Sequence, residues 1–217
     1  MGSPCWSVLE AIEAYPPEGY RVEHDLLMPA VRRRLLEEAA GASNAYWSFE
    51  VPCSSFSRLC VNLNGGSRTS SKPLGTGALE RERRGNQLAR VSVEACKLLY
   101  INECFFSIEN PVNSLLWLLP GLRYLSKLPG VHKVVFDQCE FGLCFPDSLP
   151  TERCKKRTML LTNHPGLARL ERRCEGGHTH VHAFDSVKTK SGWCKRSALA
   201  AVYPRELCRA WIQAALW

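Results

Sequence analysis

Cys104-Phe105-Phe106-Ser107-Ile108 runs into Glu109-Asn110-Pro111, and this stretch decides how the chain is read. A short, nearly continuous apolar run bounded by polar and turn-forming residues predicts a strand buried on both faces. Just before it, Leu88, Val91, Ala95, Leu98 and Leu99 recur at helical spacing and predict a helix over Leu79 to Tyr100. Earlier still, the aromatic-rich Ala45-Tyr46-Trp47-Ser48-Phe49 reads as a strand that runs into Val51-Pro52-Cys53-Ser54-Ser55-Phe56-Ser57. A strand, a helix and a second strand in that order predict a parallel pair.

The same reading extends outward. Tyr20 to Glu23 is a short strand candidate ending at His24-Asp25. Pro29 opens a helix carrying Val31, Leu35, Leu36 and Ala39, which Gly41 stops. Residues 62–78 are a Gly/Ser/Asn/Pro loop, long enough to suggest function or disorder. Asn113 is placed to cap a helix over Leu115 to Leu118. Val131 to Phe136 and Arg157 to Leu161 are further strands, with 142–156 as a connecting loop. A short helix over Leu167 to Arg172 and a terminal one over Pro204 to Leu216 complete the series. The fold class expected is α/β, a mostly parallel sheet with helices on both faces. Residues 1–165 form the core, and 166–217 form a Cys/His-containing extension packed on the same domain.

The chain has 217 residues, and 28 Lys+Arg against 21 Asp+Glu leave a net charge of +7. With 45% apolar residues it is neither disordered nor fibrous. No run reaches the roughly 18 apolar residues of a membrane-spanning helix. The start, Met1-Gly2-Ser3-Pro4-Cys5, lacks the pattern of a secretory signal, so an intracellular protein is expected. Eleven cysteines, an odd number scattered through the chain, do not suit a secreted disulfide framework. Most are read as small buried hydrophobes. The clusters Arg32-Arg33-Arg34, Arg81/Arg83/Arg84, Lys155-Lys156-Arg157 and Arg172-Arg173 read as solvated faces before they read as a phosphate-binding surface.

Ligands of such sheets sit beyond the C-terminal ends of the strands. Two predicted strands end there with chemistry: one delivers Pro52-Cys53, the other Glu109-Asn110. A thiol beside a carboxyl suits covalent catalysis on an electron-poor ring. The thiolate adds to a carbon, and the carboxyl holds a ring nitrogen as charge develops. Taken singly, Cys53 is equally well a buried turn cysteine and Glu109 a capping carboxylate.

The ordered set Pro52-Cys53, Glu109-Asn110-Pro111, Phe141-Gly142 and Lys155-x-Arg157 resembles the DNA cytosine-5 methyltransferases over roughly residues 20 to 165. The fuller pattern resembles a divergent branch of that family. The resemblance implies a Rossmann-like domain, S-adenosylmethionine as cofactor and DNA as partner. It implies Cys53 as the nucleophile at C6 of cytosine and Glu109 at N3. Lys155 and Arg157 would steady the base or backbone. Asp25, Pro52 and Asn110 would line the cofactor side, and loop 62–78 would cover the flipped base. The family's Phe-x-Gly-x-Gly turn has no counterpart, so the sheet is expected to be incomplete at its N-terminal end. Glu10 and Glu13 lie where the ribose ligand would be sought. A catalytically inactive remnant that binds nucleic acid or protein is the alternative.

Cys174-Glu175-Gly176-Gly177-His178-Thr179-His180-Val181-His182 suggests a metal site. On an extended segment the three histidines share one face. Cys139, Cys174, His178 and His180 would make a Cys2His2 zinc site of structural type, with Cys144, Cys154 and Cys194 as substitutes. An exposed His-rich turn with buried cysteines is the plainer reading.

Overall fold

The computed structural model describes residues 12–14, 19–63, 65–190 and 192–217. Cys5 and Glu10 lie outside them. The chain begins with a 3-10 turn, Val22–His24, then α1 (Pro29–Ala40), β1 (Tyr46–Glu50), α2 (Arg58–Leu63), α3 (Glu80–Ile101) and β2 (Phe105–Pro111). A 3-10 turn, Leu115–Leu118, leads to α4 (Pro120–Leu125) and β3 (His132–Asp137). A third 3-10 turn, Gln138–Phe141, precedes β4 (Glu152–Cys154) and β5 (Arg157–Thr162). After a fourth, Pro165–Leu170, come β6 (Thr179–Val181), β7 (Ser186–Thr189), β8 (Gly192–Lys195), α5 (Arg196–Leu199) and α6 (Arg205–Ala215).

The main sheet has the order β1-β2-β5-β3. β1 and β2 are parallel neighbours joined through α3, with Tyr46 opposite Phe105 and Glu50 opposite Glu109. β5 lies antiparallel to both β2 and β3. The sheet is therefore mixed, not mostly parallel. A parallel neighbour needs a covering crossover, and 138–156 contains no helix with an apolar stripe, so the chain turns back antiparallel. No strand among the described residues precedes β1. The stretch expected as a strand at Tyr20–Glu23 is the 3-10 turn, since it has no partner strand to pair with.

Helices cover both faces of the sheet. Phe106, Ile108 and Leu161 pack with Leu35 of α1, Leu99 of α3 and Leu122 of α4. On the opposite face Val134, Phe136 and Leu160 pack with Leu207 and Trp211 of α6. α6 is what the apolar residues of the C-terminal segment predict: its buried stripe is Leu207, Trp211 and Ala214, an i, i+4, i+7 pattern. Ser114, not Asn113, caps the turn after β2, by accepting from the Leu116 amide at 3.2 Å. None of the nine described cysteine side chains forms a disulfide. Cys96, Cys104 and Cys154 are buried as the packing reading expects, whereas Cys144 and Cys208 are exposed. No described helix is long and apolar enough to cross a membrane.

Candidate functional site

The register Glu50–Glu109 sets two carboxylates side by side at the ends of parallel strands. Three residues past Glu50, the chain turns at Cys53. Its carbonyl accepts from the amides of Phe56 and Ser57 at 3.0 and 2.9 Å. Asn110 ties this turn to β2: its Nδ2 donates to the Val51 carbonyl at 2.6 Å and to the Glu109 carbonyl at 2.9 Å. Cys53 and Glu109 are thus brought to one end of adjacent strands, and Pro52 and Asn110 come with them.

Glu109 is buried, with its Oε1 unpartnered, and so is Oδ1 of Asn110. A buried acceptor without a donor is costly unless a ligand supplies one. Burial raises the Glu109 carboxyl above its usual value; Lys156 and the Tyr203 hydroxyl oppose this, Glu50 reinforces it, and Thr158 opposes it. Burial likewise raises Glu50, whose Oε1 accepts from Ser48 at 2.5 Å. Ser48 continues a hydrogen-bonded chain to Ser107 at 3.0 Å, Tyr46 at 2.6 Å and the Trp211 indole at 2.7 Å.

Sequence reasoning missed three neighbours of this site. Lys156, not Lys155 or Arg157, is the cation facing Glu109; it also donates to the Ala200 carbonyl at 3.1 Å and lies over the Tyr203 ring. Lys156 lies just before β5, whose first residue, Arg157, points to the other face. There it makes a two-pronged pair with buried Asp137 at 2.8 and 2.9 Å. Lys155 is exposed, on the side of Asp137 and His180. Tyr203, from the segment before α6, meets Glu109; burial, then Glu109 and Glu50, push its phenol up. Glu50 had a signal in the sequence, as an acid ending a predicted strand; Tyr203 had none.

The loop expected to cover the site is pinned down. Arg68 is buried, stacks on Phe56 and donates to the Pro73 carbonyl at 2.5 Å, Asn86 at 2.7 Å and the Glu82 carbonyl at 3.0 Å. Glu82 in turn accepts from the Ser67 amide at 2.7 Å. Gly85 of α3 lets the helix lie against Ser55 and Phe56, where a Cβ would collide with the Ser55 hydroxyl.

Asp25 is used locally. Its Oδ1 accepts from the Leu27 amide at 2.9 Å and its Oδ2 from Tyr20 at 2.8 Å. Asp25 is thus engaged within its own segment, and no strand precedes β1 among the described residues.

A second cluster joins three elements. Cys139 comes from the turn after β3, Cys174 from the segment bridged to Phe136 through Arg172, and His178 and His180 from β6 and its approach. Their ligand atoms all lie within 4.8 Å of one another, so they could hold a metal ion. The two imidazole Nε2 atoms are 3.1 Å apart, and Cys174 Sγ is 3.5 and 3.3 Å from them. A tetrahedral thiolate–imidazole site has edges of about 3.3 Å between nitrogens and about 3.6 Å between sulfur and nitrogen. The spacing fits. Burial and the adjacent Cys174 push the Cys139 thiol up to about 12, the state expected without a cation to stabilise thiolate. Asp137 accepts from the Cys174 amide at 3.0 Å, linking the cluster to Arg157.

No family model matches the chain, and no curated protein or solved structure is significantly similar to it.

Proposed function

We propose that the domain handles cytosine in DNA in the manner of the cytosine-5 methyltransferases it resembles, with Cys53 as nucleophile and Glu109 as the group at N3. The observation that supports this reading is the in-register ending of β1 and β2, with Glu109 buried and one oxygen orphaned at the end of the sheet where the chain turns at Cys53. A carboxyl raised by burial keeps its proton to higher pH and, while it holds it, can donate it. The thiolate of Cys53 adds to C6, the electron pair moves to N3, and N3 takes the Glu109 proton. The neutral adduct is an enamine nucleophilic at C5. A solvent proton taken there, followed by loss of the original C5 proton and expulsion of the thiolate, restores cytosine and reprotonates Glu109. Lys156 steadies the carboxylate between these steps, in the place the motif spacing gives to Lys155 and Arg157.

Methyl transfer is not built into these steps, because Asp25, the residue the resemblance gives to the cofactor, is engaged by Leu27 and Tyr20. That observation favours a second reading, a domain that keeps base binding without S-adenosylmethionine. Zinc is the metal proposed for Cys139, Cys174, His178 and His180, by its preference for mixed thiolate and imidazole tetrahedra; four protein ligands leave no open position, so its role is structural.

Exchange of the cytosine C5 hydrogen in D2O needs no methyl donor and tests the thiol step. Exchange lost in Cys53→Ser supports it; equal exchange in both chains refutes it. Calorimetry with S-adenosylmethionine separates the two readings, since binding heat from this chain would restore the methyltransferase.

A further inference from the structure

The β7–β8 hairpin has two unlike faces. Val187 is buried on one. On the other, Lys188 stands opposite Trp193 and Ser186 opposite Lys195. Trp193 is 75% exposed, and Lys188, Lys190 and Lys195 are exposed around it. No ion pair engages these lysines among the described residues, whereas Arg196 beside them is paired with Asp147. The turn is closed by Thr189 donating to the Gly192 carbonyl at 2.8 Å, with Gly192 at a φ of 114° that favours glycine. An indole held open to solvent on a well-formed hairpin, ringed by unpaired cations, is complementary to a flat π-face attached to phosphates.

We infer that this hairpin binds single-stranded nucleic acid, with Trp193 stacking on an unpaired base and Lys188, Lys190 and Lys195 on the flanking phosphates. The position supports a role beside the Glu109 site. β8 passes directly into α5, Ala200 accepts from Lys156, and Tyr203 then meets Glu109. A base drawn out of a duplex leaves its partner unpaired and its strand locally unstacked, and an unpaired base offers a stacking face. The inference rests on the domain being a nucleic-acid binder, but not on Cys53 chemistry.

The test is fluorescence anisotropy with a labelled oligothymidylate over a salt series, using the full chain. Trp193→Ala should weaken binding about tenfold, and Trp193→Phe should recover most of it. Lys188→Gln with Lys195→Gln should reduce the salt slope by about 1.4, two phosphate contacts on a single strand. All these side chains are exposed, so circular dichroism and metal content should match the parent. Parent-level binding and slope in the variants would overturn the hairpin alone. A parent chain that binds neither single strand nor duplex would overturn the nucleic-acid reading with it.

Discussion

Glu109 carries the account at the scale of single residues. Its carboxyl is raised by burial, so the folded chain holds a proton that the unfolded chain, with a value near the usual ~4.3, releases earlier. The stability this gives is full below the unfolded value and is lost as pH rises through the raised folded value. Urea denaturation across that window should show stability falling with pH. Glu109→Gln should flatten the fall without abolishing it, because the neighbouring Glu50 carboxyl is raised as well. The glutamine cannot transfer a proton, so C5 exchange should drop by roughly 10²- to 10⁴-fold, the usual range for a lost general acid. Isotope content of the recovered cytosine measures it; exchange at the parent rate would remove Glu109 from the chemistry.

Among elements, the pinned 65–79 loop distinguishes this molecule from one with a mobile lid. Arg68 holds it with four hydrogen bonds and a stack on Phe56. Arg68→Met should cost about 2–4 kcal/mol by urea denaturation, since it orphans several buried acceptors. It should also speed proteolysis within 65–79. An unchanged midpoint would mean that the loop contributes little. Such anchoring was illegible in the sequence, where a Gly/Ser-rich run reads as mobile and nothing marks one arginine as buried. Elements with periodic apolar residues were legible: α1, α3, β1, β2, β3, β5 and α6 lie where spacing set them. The direction of β5 was not, because orientation depends on the path between strands. Likewise Cys53 and Glu109 were found as strand-end residues, whereas Lys156 and Tyr203 required the tertiary fold.

For the whole molecule, the Cys/His cluster ties residues 174–180 to the turn after β3, beside the apolar packing of α6 on the sheet. One zinc per chain is expected by elemental analysis, lost in Cys174→Ser and His180→Ala. Chelation should lower Tm and raise hydrogen exchange in β4, β6 and residues 171–182, while α1 and α3, on the other face, change least. No metal in the purified protein would leave the cluster as an ordinary polar contact. The two sites are distinct: Asp137 and Arg157 adjoin the Cys/His cluster, and Lys156 faces Glu109 at the strand ends. The most direct measurement of the central claim is intact mass after incubation with DNA carrying 2-pyrimidinone, a more electron-poor ring, in place of one cytosine. The predicted result is a mass increase of one oligonucleotide, mapped by peptide analysis to Cys53 and absent in Cys53→Ser. No adduct, or an adduct on the exposed Cys144 or Cys208 instead, would contradict the account.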